Sequence, residues 1–290
     1  MRNKIKGEPE KGDDRMTMVG LGFRPQLKSE IFLHRAEIDF LEITADHYLE
    51  ATPAKQEELE LLKFHFPLIP HGLNLSLGSA EGLNEDYLEK FAELIDELEP
   101  EWFSDHICFT RSGSVDIGHL APVPFTREAV RVLARNVAAV KKRIKTPLIL
   151  ENITYMFRYP SAEMSEAEFL HRVLEETDCG LLLDVTNLYI NAVNHDYDWR
   201  RFLDELPIER VVQLHFVGGH RHQNYLIDSH SDATSGEIWE VFREVCARAE
   251  VRGAILERDG NFPPFTEILG ELDTARRLCK KSNILANSAV

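Results

Sequence analysis

The sequence predicts an α/β chain closed into a (β/α)8 barrel of the TIM type, folded as a single domain. Three observations predict it. Short apolar segments alternate with amphipathic stretches, eight such segments fit into roughly 270 residues, and polar side chains sit at the ends of most of them. The segments are Val19–Phe23, Asp39–Thr44, Leu68–Ser76, Trp102–Thr110, Pro147–Ile153, Gly180–Val185, Val211–Val217 and Gly253–Glu257. Each is brief and rich in Val, Ile, Leu or Phe, as a strand buried on both faces requires. Helices are expected over Asn84–Leu98, Thr126–Lys142, Leu170–Glu176, Tyr197–Leu206 and Glu237–Ala249. The second carries Val130, Leu133, Ala134, Val137 and Val140 at helical spacing, with Thr126 placed as its N-cap. An open doubly wound sheet would use the same alternation, but it normally begins with a Gly-rich phosphate turn. Gly20-Leu21-Gly22-Phe23-Arg24-Pro25 lacks the third glycine and runs into Pro25, which favours the barrel.

Residues 1–16 are charged, contain Gly and Pro and show no apolar period, so they read as a mobile leader before a barrel domain over 17–290. No apolar run approaches the roughly 20 residues that span a bilayer, and the first residues lack a secretory apolar segment. A soluble, cytoplasmic protein is the expectation. The net charge is −16, from 33 Lys+Arg against 49 Asp+Glu. That balance disfavours duplex nucleic acid and anionic membrane as partners, since both need clustered cations. It also leaves room for carboxylates whose charge bound divalent ions would offset. The four cysteines, Cys108, Cys179, Cys246 and Cys279, form no C-x-x-C pair and read as free, mostly buried thiols.

The chemistry lies at the strand ends. Strand two runs Leu41-Glu42-Ile43-Thr44; strands three and four hold His71 and His106; strand five ends on Glu151-Asn152 and strand six on Asp184; strand seven holds His215 and strand eight ends on Glu257-Arg258-Asp259. A lone charge buried after apolar strand residues costs several kcal/mol unless paired or metal-bound. In a barrel these ends converge on one mouth. Three His and four carboxylates meeting there describe a metal site. Asp228 and His230 after strand seven are spaced so that an extended loop can turn both toward one ion. Such a donor set suits Fe(II), Mn(II) or Zn(II) better than Ca or Mg, and it is too large for one ion. Two or three metals bridged by carboxylates such as Glu151 are therefore expected.

Single residues admit structural readings. Glu42 and Glu257 can be salt-bridge partners, Asp184 a helix cap, and Asp228–Asp232 a polar loop. Asn187 and His195 serve equally as ligands or as supports. Asn152, of opposite strand parity to Glu151, is expected to orient a ligand. Arg24, Arg258 and Tyr155 are within the set that could touch a substrate. Asp46-His47 reads as an exposed loop pair.

The pieces GLGFRP (20–25), LEIT (41–44), HGLNLSLGS (71–79), SDHICF (104–109), LAPVPFT (120–126), LENITY (150–155), LLLDVTNLYINAVNHDYD (181–198), QLHFVGGH (213–220), LIDSH (226–230) and LERDGNFP (256–263) occur in this order. Together they resemble the multinuclear non-haem iron-dependent oxidases, a UPF0276-like bacterial family. The resemblance implies a barrel holding two or three irons, with Zn or Mn possible as purified. Carried across, the ligands are His71, His106, Glu151, Asp184, His215, Asp228, His230 and Glu257, with Asn187 in addition. Glu151, Asp184 and Glu257 are given the catalytic role. The implied substrate is a small ribosomally made peptide whose cysteine is oxidised with O2, delivered in some cases by a separate partner protein. Thr44-Ala45-Asp46-His47 and Ile153-Thr154-Tyr155 depart from the commoner family versions, so the peptide's identity is open. The rival readings are a metal-dependent sugar isomerase or epimerase, a trinuclear-zinc type endonuclease, and a non-catalytic metal-binding protein. The strand ends supply no lysine of the kind an isomerase uses, and the acidic charge opposes the endonuclease.

Overall fold

In a computed structural model, residues 16–113 and 115–287 are described, with side chains to residue 280. The leader expected over 1–16 lies, apart from Met16, outside the described residues. In chain order the first elements are β1 (Met18–Gly22), α1 (Lys28–Leu33), β2 (Leu41–Thr44), α2 (Pro53–His65), β3 (Leu68–His71), α3 (Glu85–Leu98), β4 (Phe103–His106), β5 (Cys108–Ser112) and β6 (Val115–Pro122). Next come α4 (Arg127–Arg143), β7 (Leu148–Glu151), α5 (Glu166–Thr177), β8 (Gly180–Asp184), α6 (Val185–Asn194) and α7 (Trp199–Glu205). The chain continues through β9 (Val211–Phe216), β10 (Gly218–His222), β11 (Tyr225–Asp232), α8 (Gly236–Arg248), β12 (Gly253–Leu256) and α9 (Phe265–Asn287). Among the described residues no helix is long and apolar enough to cross a membrane.

β1, β2, β3, β4, β7, β8, β9 and β12 close into a parallel barrel, as expected. The open-sheet alternative is thereby excluded. Among the described residues the other four strands form two antiparallel hairpins, β5–β6 and β10–β11, beyond the eight strands expected. The strand expected over Trp102–Thr110 accordingly divides into β4 and the start of a hairpin. The strand expected to reach Ser76 stops at His71, because the Asp46 and Asp105 carboxylates take the backbone N–H groups of Leu73 and Leu75 that a ladder would have used. Thr126 caps α4 as expected, accepting from Ala129 N at 3.1 Å.

Strand periodicity explains where the polar side chains go. Phe40, Ile69, Trp102, Ile149, Leu182 and Ile255 pack together as an apolar cluster inside the barrel. Successive inward positions are two residues apart. Two residues further along each strand, the interior therefore receives Glu42, His71, Ser104, Glu151, Asp184 and Glu257. Gly20 lets Phe40 sit across this floor, since a Cβ there would lie 2.3 Å from the Phe40 carbonyl oxygen and 2.8 Å from its ring. A larger, separate apolar layer fills the space between the strands and the helices.

Candidate metal centre

The polar strand-end residues meet above the apolar floor. His71 Nε2 and His106 Nε2 lie 3.3 and 3.2 Å from Glu151 Oε2. The other oxygen of the same carboxylate, Oε1, is 3.3 Å from His215 Nδ1, and that nitrogen is 3.1 Å from Glu257 Oε2. Glu257 Oε2 in turn faces His230 Nδ1 at 3.6 Å, and Asp259 Oδ2 lies 3.2 Å from that nitrogen. Among the described residues three donor groups follow: His71, His106 and Glu151; then Glu151, Asp184, His215 and Glu257; then His230, Glu257 and Asp259. Within each group the ligand atoms lie within 4.8 Å of one another. Glu151 joins the first group to the second, and Glu257 joins the second to the third.

Neighbouring side chains hold the donors in place. His71 Nδ1 shares a 2.7 Å hydrogen bond with Ser104 Oγ, which leaves Nε2 turned toward Glu151. Asp184 caps α6: its Oδ1 accepts from Asn187 N at 2.7 Å, while Oδ2 has no hydrogen-bond partner. It is thus both the cap and the inward carboxylate that the sequence admitted as alternatives. Asn187 Nδ2 donates to the Asn152 carbonyl at 3.0 Å, and its Oδ1 is also unpartnered. His106 Nδ1, Glu151 Oε2, His215 Nδ1, His230 Nδ1 and Asp228 Oδ1 are further buried atoms here without hydrogen-bond partners. Buried polar groups are nearly always satisfied. Orphaned N and O donors clustered around two carboxylates are what a site for borderline transition metals leaves, and these residues fit such ions.

The electrostatics show the strain of so many acids in one place. Burial pushes Asp184 well above the ordinary carboxylate range, and the charges of Glu151 and Asp228 add to it. Burial would raise Glu151 as well, but the facing rings of His106, His215 and His71 bring it below its usual value. Glu257 is held well below its usual value by His230 and His215 despite burial. For His215, burial is outweighed by Glu42, Glu151 and Glu257, which raise it well above the ordinary imidazole range. His106 goes the other way, to about 4, because burial dominates and keeps the ring neutral. A cation between these groups would take the place of the imidazole protons.

His71, His106, Glu151, Asp184, His215 and Glu257 therefore converge as expected, and His230 joins them through β11. Asp228 and His230 lie on a strand rather than an open loop, and His230 has a φ of 49°, which turns the ring inward. Asp228 Oδ1 lies 2.9 Å from His230 Nε2, the ring nitrogen opposite the one facing Glu257 and Asp259, and its Oδ2 accepts from Thr154 Oγ1 at 3.4 Å. Sequence reasoning misses Asp259 as a donor, although it shares the parity of Glu257 two residues earlier. Arg24, one of the residues that could touch a substrate, instead braces these acids: its Nε donates to Asp259 Oδ1 at 2.6 Å while Nη2 lies 3.3 Å from Glu257 Oε1.

Other residues fall outside the centre. Arg258 is buried against Glu271 and the Ser231 carbonyl, and Tyr155 donates to Glu166 at 2.8 Å, so neither faces the mouth. His195 stacks on Tyr155 and bonds its carbonyl oxygen. Asp46 is no exposed loop acid: it accepts from Leu73 N, Asn74 Nδ2 and the Tyr87 hydroxyl, and so ties down the loop after β3. All four cysteines are free and buried.

A family model described as RiPP precursor modification enzyme MbnB/TglH/ChrH matches residues 18–280. A UPF0276 protein of Caulobacter vibrioides is 33% identical over 258 residues, covering 89% of this chain and 92% of that protein. A UPF0276 protein of Shewanella oneidensis is 35% identical over 271 residues, covering 92% and 96%. Among solved structures, the 3-keto-D-glucoside 4-epimerase YcjR from E. coli has a TM-score of 0.56 at 13% identity, covering 90% of this chain and 98% of that one. Endonuclease IV from Thermus thermophilus has a TM-score of 0.55 at 16% identity, covering 91% and 99%. At such identities the likeness shows the barrel fold alone.

Proposed function

Because the chain belongs to the family of RiPP precursor modification enzymes MbnB/TglH/ChrH, we propose that it is a multinuclear non-haem iron-dependent oxidase that uses O2 to modify a cysteine-containing, ribosomally made peptide. The single observation that supports this best is the sharing of Glu151 between the His71–His106 group and the Asp184–His215–Glu257 group. A carboxylate with a different donor set on each oxygen is built to bridge two cations. Iron held there would supply a Lewis acid that lowers the pKa of a substrate thiol, and electrons for reducing O2.

The chain's own part is to hold and orient. His71, His106 and Glu151 would hold one ion, and Glu151, Asp184, His215 and Glu257 a second. His230, Glu257 and Asp259 form the outer group, with Asp228 beside it, and Asn187 offers its oxygen next to Asp184. Glu151 and Glu257, each shared by two groups, and Asp184, which belongs to the central group alone, are the carboxylates assigned the catalytic role. The apolar floor of Phe40, Ile69, Ile149, Leu182 and Ile255 excludes water from below. The peptide would approach from the opposite side, past the β5–β6 and β10–β11 hairpins, either directly or carried by a partner protein. A cytoplasmic setting belongs to this reading.

The test is anaerobic loading of the full chain with Fe(II), metal analysis, and exposure to O2 with a cysteine-containing peptide encoded beside its gene. Two or more irons per chain, O2 uptake and a changed peptide mass are expected, with all turnover lost in Glu151→Gln. Turnover of a sugar with zinc or manganese, and an unchanged peptide, would favour the isomerase reading instead.

A further inference from the structure

We propose that Trp102, Gln213 and Glu42 form a hydrogen-bonded column, rising from the barrel floor, that sets the tautomer and donor strength of His215 toward the central group. The inference rests on the metal reading of that group. It assigns positioning roles to residues that do not themselves reach an ion.

Trp102, Gln213 and His215 have no exposed surface, and Glu42 is 3% exposed. Trp102 Nε1 donates to Gln213 Oε1 at 2.7 Å. An indole nitrogen can only donate, so this bond fixes which end of the amide faces the floor. Gln213 Nε2 must then face away from the floor, and it donates to Glu42 Oε2 at 2.6 Å. Glu42 meets His215 Nε2 with both oxygens, at 2.9 and 3.0 Å.

The amide nitrogen of Gln213 also lies 3.2 Å from His215 Nε2, which taken alone would allow a bare Nε2 that accepts. The carboxylate decides between the two tautomers. An ionised carboxylate only accepts, and a lone pair on Nε2 held 2.9 Å from it would be repelled. Nε2 therefore carries hydrogen whether or not an ion is bound. Nδ1, which faces Glu151 Oε1 and Glu257 Oε2, is the nitrogen left for an ion. Binding there would displace the proton that those carboxylates otherwise hold on it.

A carboxylate behind a metal-binding imidazole fixes the ring and makes the facing nitrogen a stronger donor. Gln213 adds a hydrogen bond to the Glu42 carboxylate, which is otherwise buried against His215. Trp102 in turn stops the Gln213 amide from flipping, which would set a carbonyl oxygen against Glu42. The column is thus directional from floor to centre.

The experiment is a titration of the metal-free full chain with cobalt(II), followed by its d–d absorption, for the parent, Glu42→Gln, Trp102→Phe and Ser104→Ala. Glu42→Gln is expected to weaken binding at the central group by about 10- to 100-fold and to shift its bands. Trp102→Phe should move the same bands in the same direction by less. Ser104→Ala, which touches only His71, should not reproduce that shift. Glu42→Gln binding cobalt with the parent's affinity and spectrum would overturn the column. If Glu42→Gln does not fold, Trp102→Phe decides: a parental spectrum in that variant overturns the proposal. A parent chain that binds no cobalt at all overturns the metal reading itself, a result distinct from either.

Discussion

Asn152 grips the Asp184 peptide from both sides: its Nδ2 donates to the Asp184 carbonyl at 3.1 Å and its Oδ1 accepts from Asp184 N at 2.9 Å. Asn152 follows Glu151 but points away from the barrel axis, so one short stretch of β7 supplies a central carboxylate and the clamp for the next strand's carboxylate. Asn152→Ala removes both hydrogen bonds to this buried peptide, each worth about 0.5–1.5 kcal/mol. We expect a lower urea midpoint together with weaker metal retention on dialysis. Parental stability would show that the Asp184 peptide finds other partners.

The bridging geometry predicts unequal losses of metal. Glu151 serves two donor groups, whereas His230 and Asp259 serve only the outer one. Glu151→Gln should therefore lower the metal count per chain by two, and His230→Ala by at most one. Metal analysis of the two purified variants, loaded identically, checks this. Equal losses would mean that the groups do not fill independently.

A buried acid outside the centre gives the chain a pH-dependent stability. Glu166 accepts from the Tyr155 and Tyr197 hydroxyls at 2.8 and 3.1 Å and from Asn191 at 3.4 Å. Burial outweighs these hydrogen bonds and pushes its carboxyl up from 4.5 to about 7. The folded chain thus keeps this proton more tightly than the unfolded chain. The stabilisation is complete below 4.5 and is lost as pH rises through about 7. The slope in that window is at most about 1.4 kcal/mol per pH unit. Chemical unfolding at pH 5 and pH 7.5 should show the parent losing stability relative to Glu166→Gln. Parallel curves for the two would refute the assignment.

The centre was legible because strand period and burial coincide. Ile149 and Glu151, Leu182 and Asp184, Ile255 and Glu257 each pair a floor residue with a polar residue on the same side, and that pattern is visible in the chain. Asp259 keeps this parity but lies three residues past the end of β12, where the strand rule no longer fixes direction, whereas Glu257 follows the strand directly. The hairpins were not legible: β6 is largely exposed, so no apolar alternation marks it. Nor was α6, which starts directly after Asp184 without a loop and buries residues on most of its faces. Val185–Asn194 therefore lacks the polar face by which a surface helix is recognised.

The β10–β11 hairpin presents His230, one of the three outer donors, and its base is packed too closely for any side chain. A Cβ on Gly218 would lie 2.1 Å from the Ala233 carbonyl oxygen and 2.5 Å from that of Asp232. Both are backbone atoms, so Gly218→Ala must displace the strand that carries Asp228 and His230. The inner groups come from barrel strands that this shift leaves in place. We expect Gly218→Ala to keep the ions of the inner groups, lose the outer one, and reduce peptide turnover by about 100-fold, the usual effect of a 1 Å misplacement. Gly236→Ala, at a position with open space around its Cβ, is the control and should behave as the parent does. Full outer-site occupancy in Gly218→Ala would show that the hairpin does not determine where His230 sits.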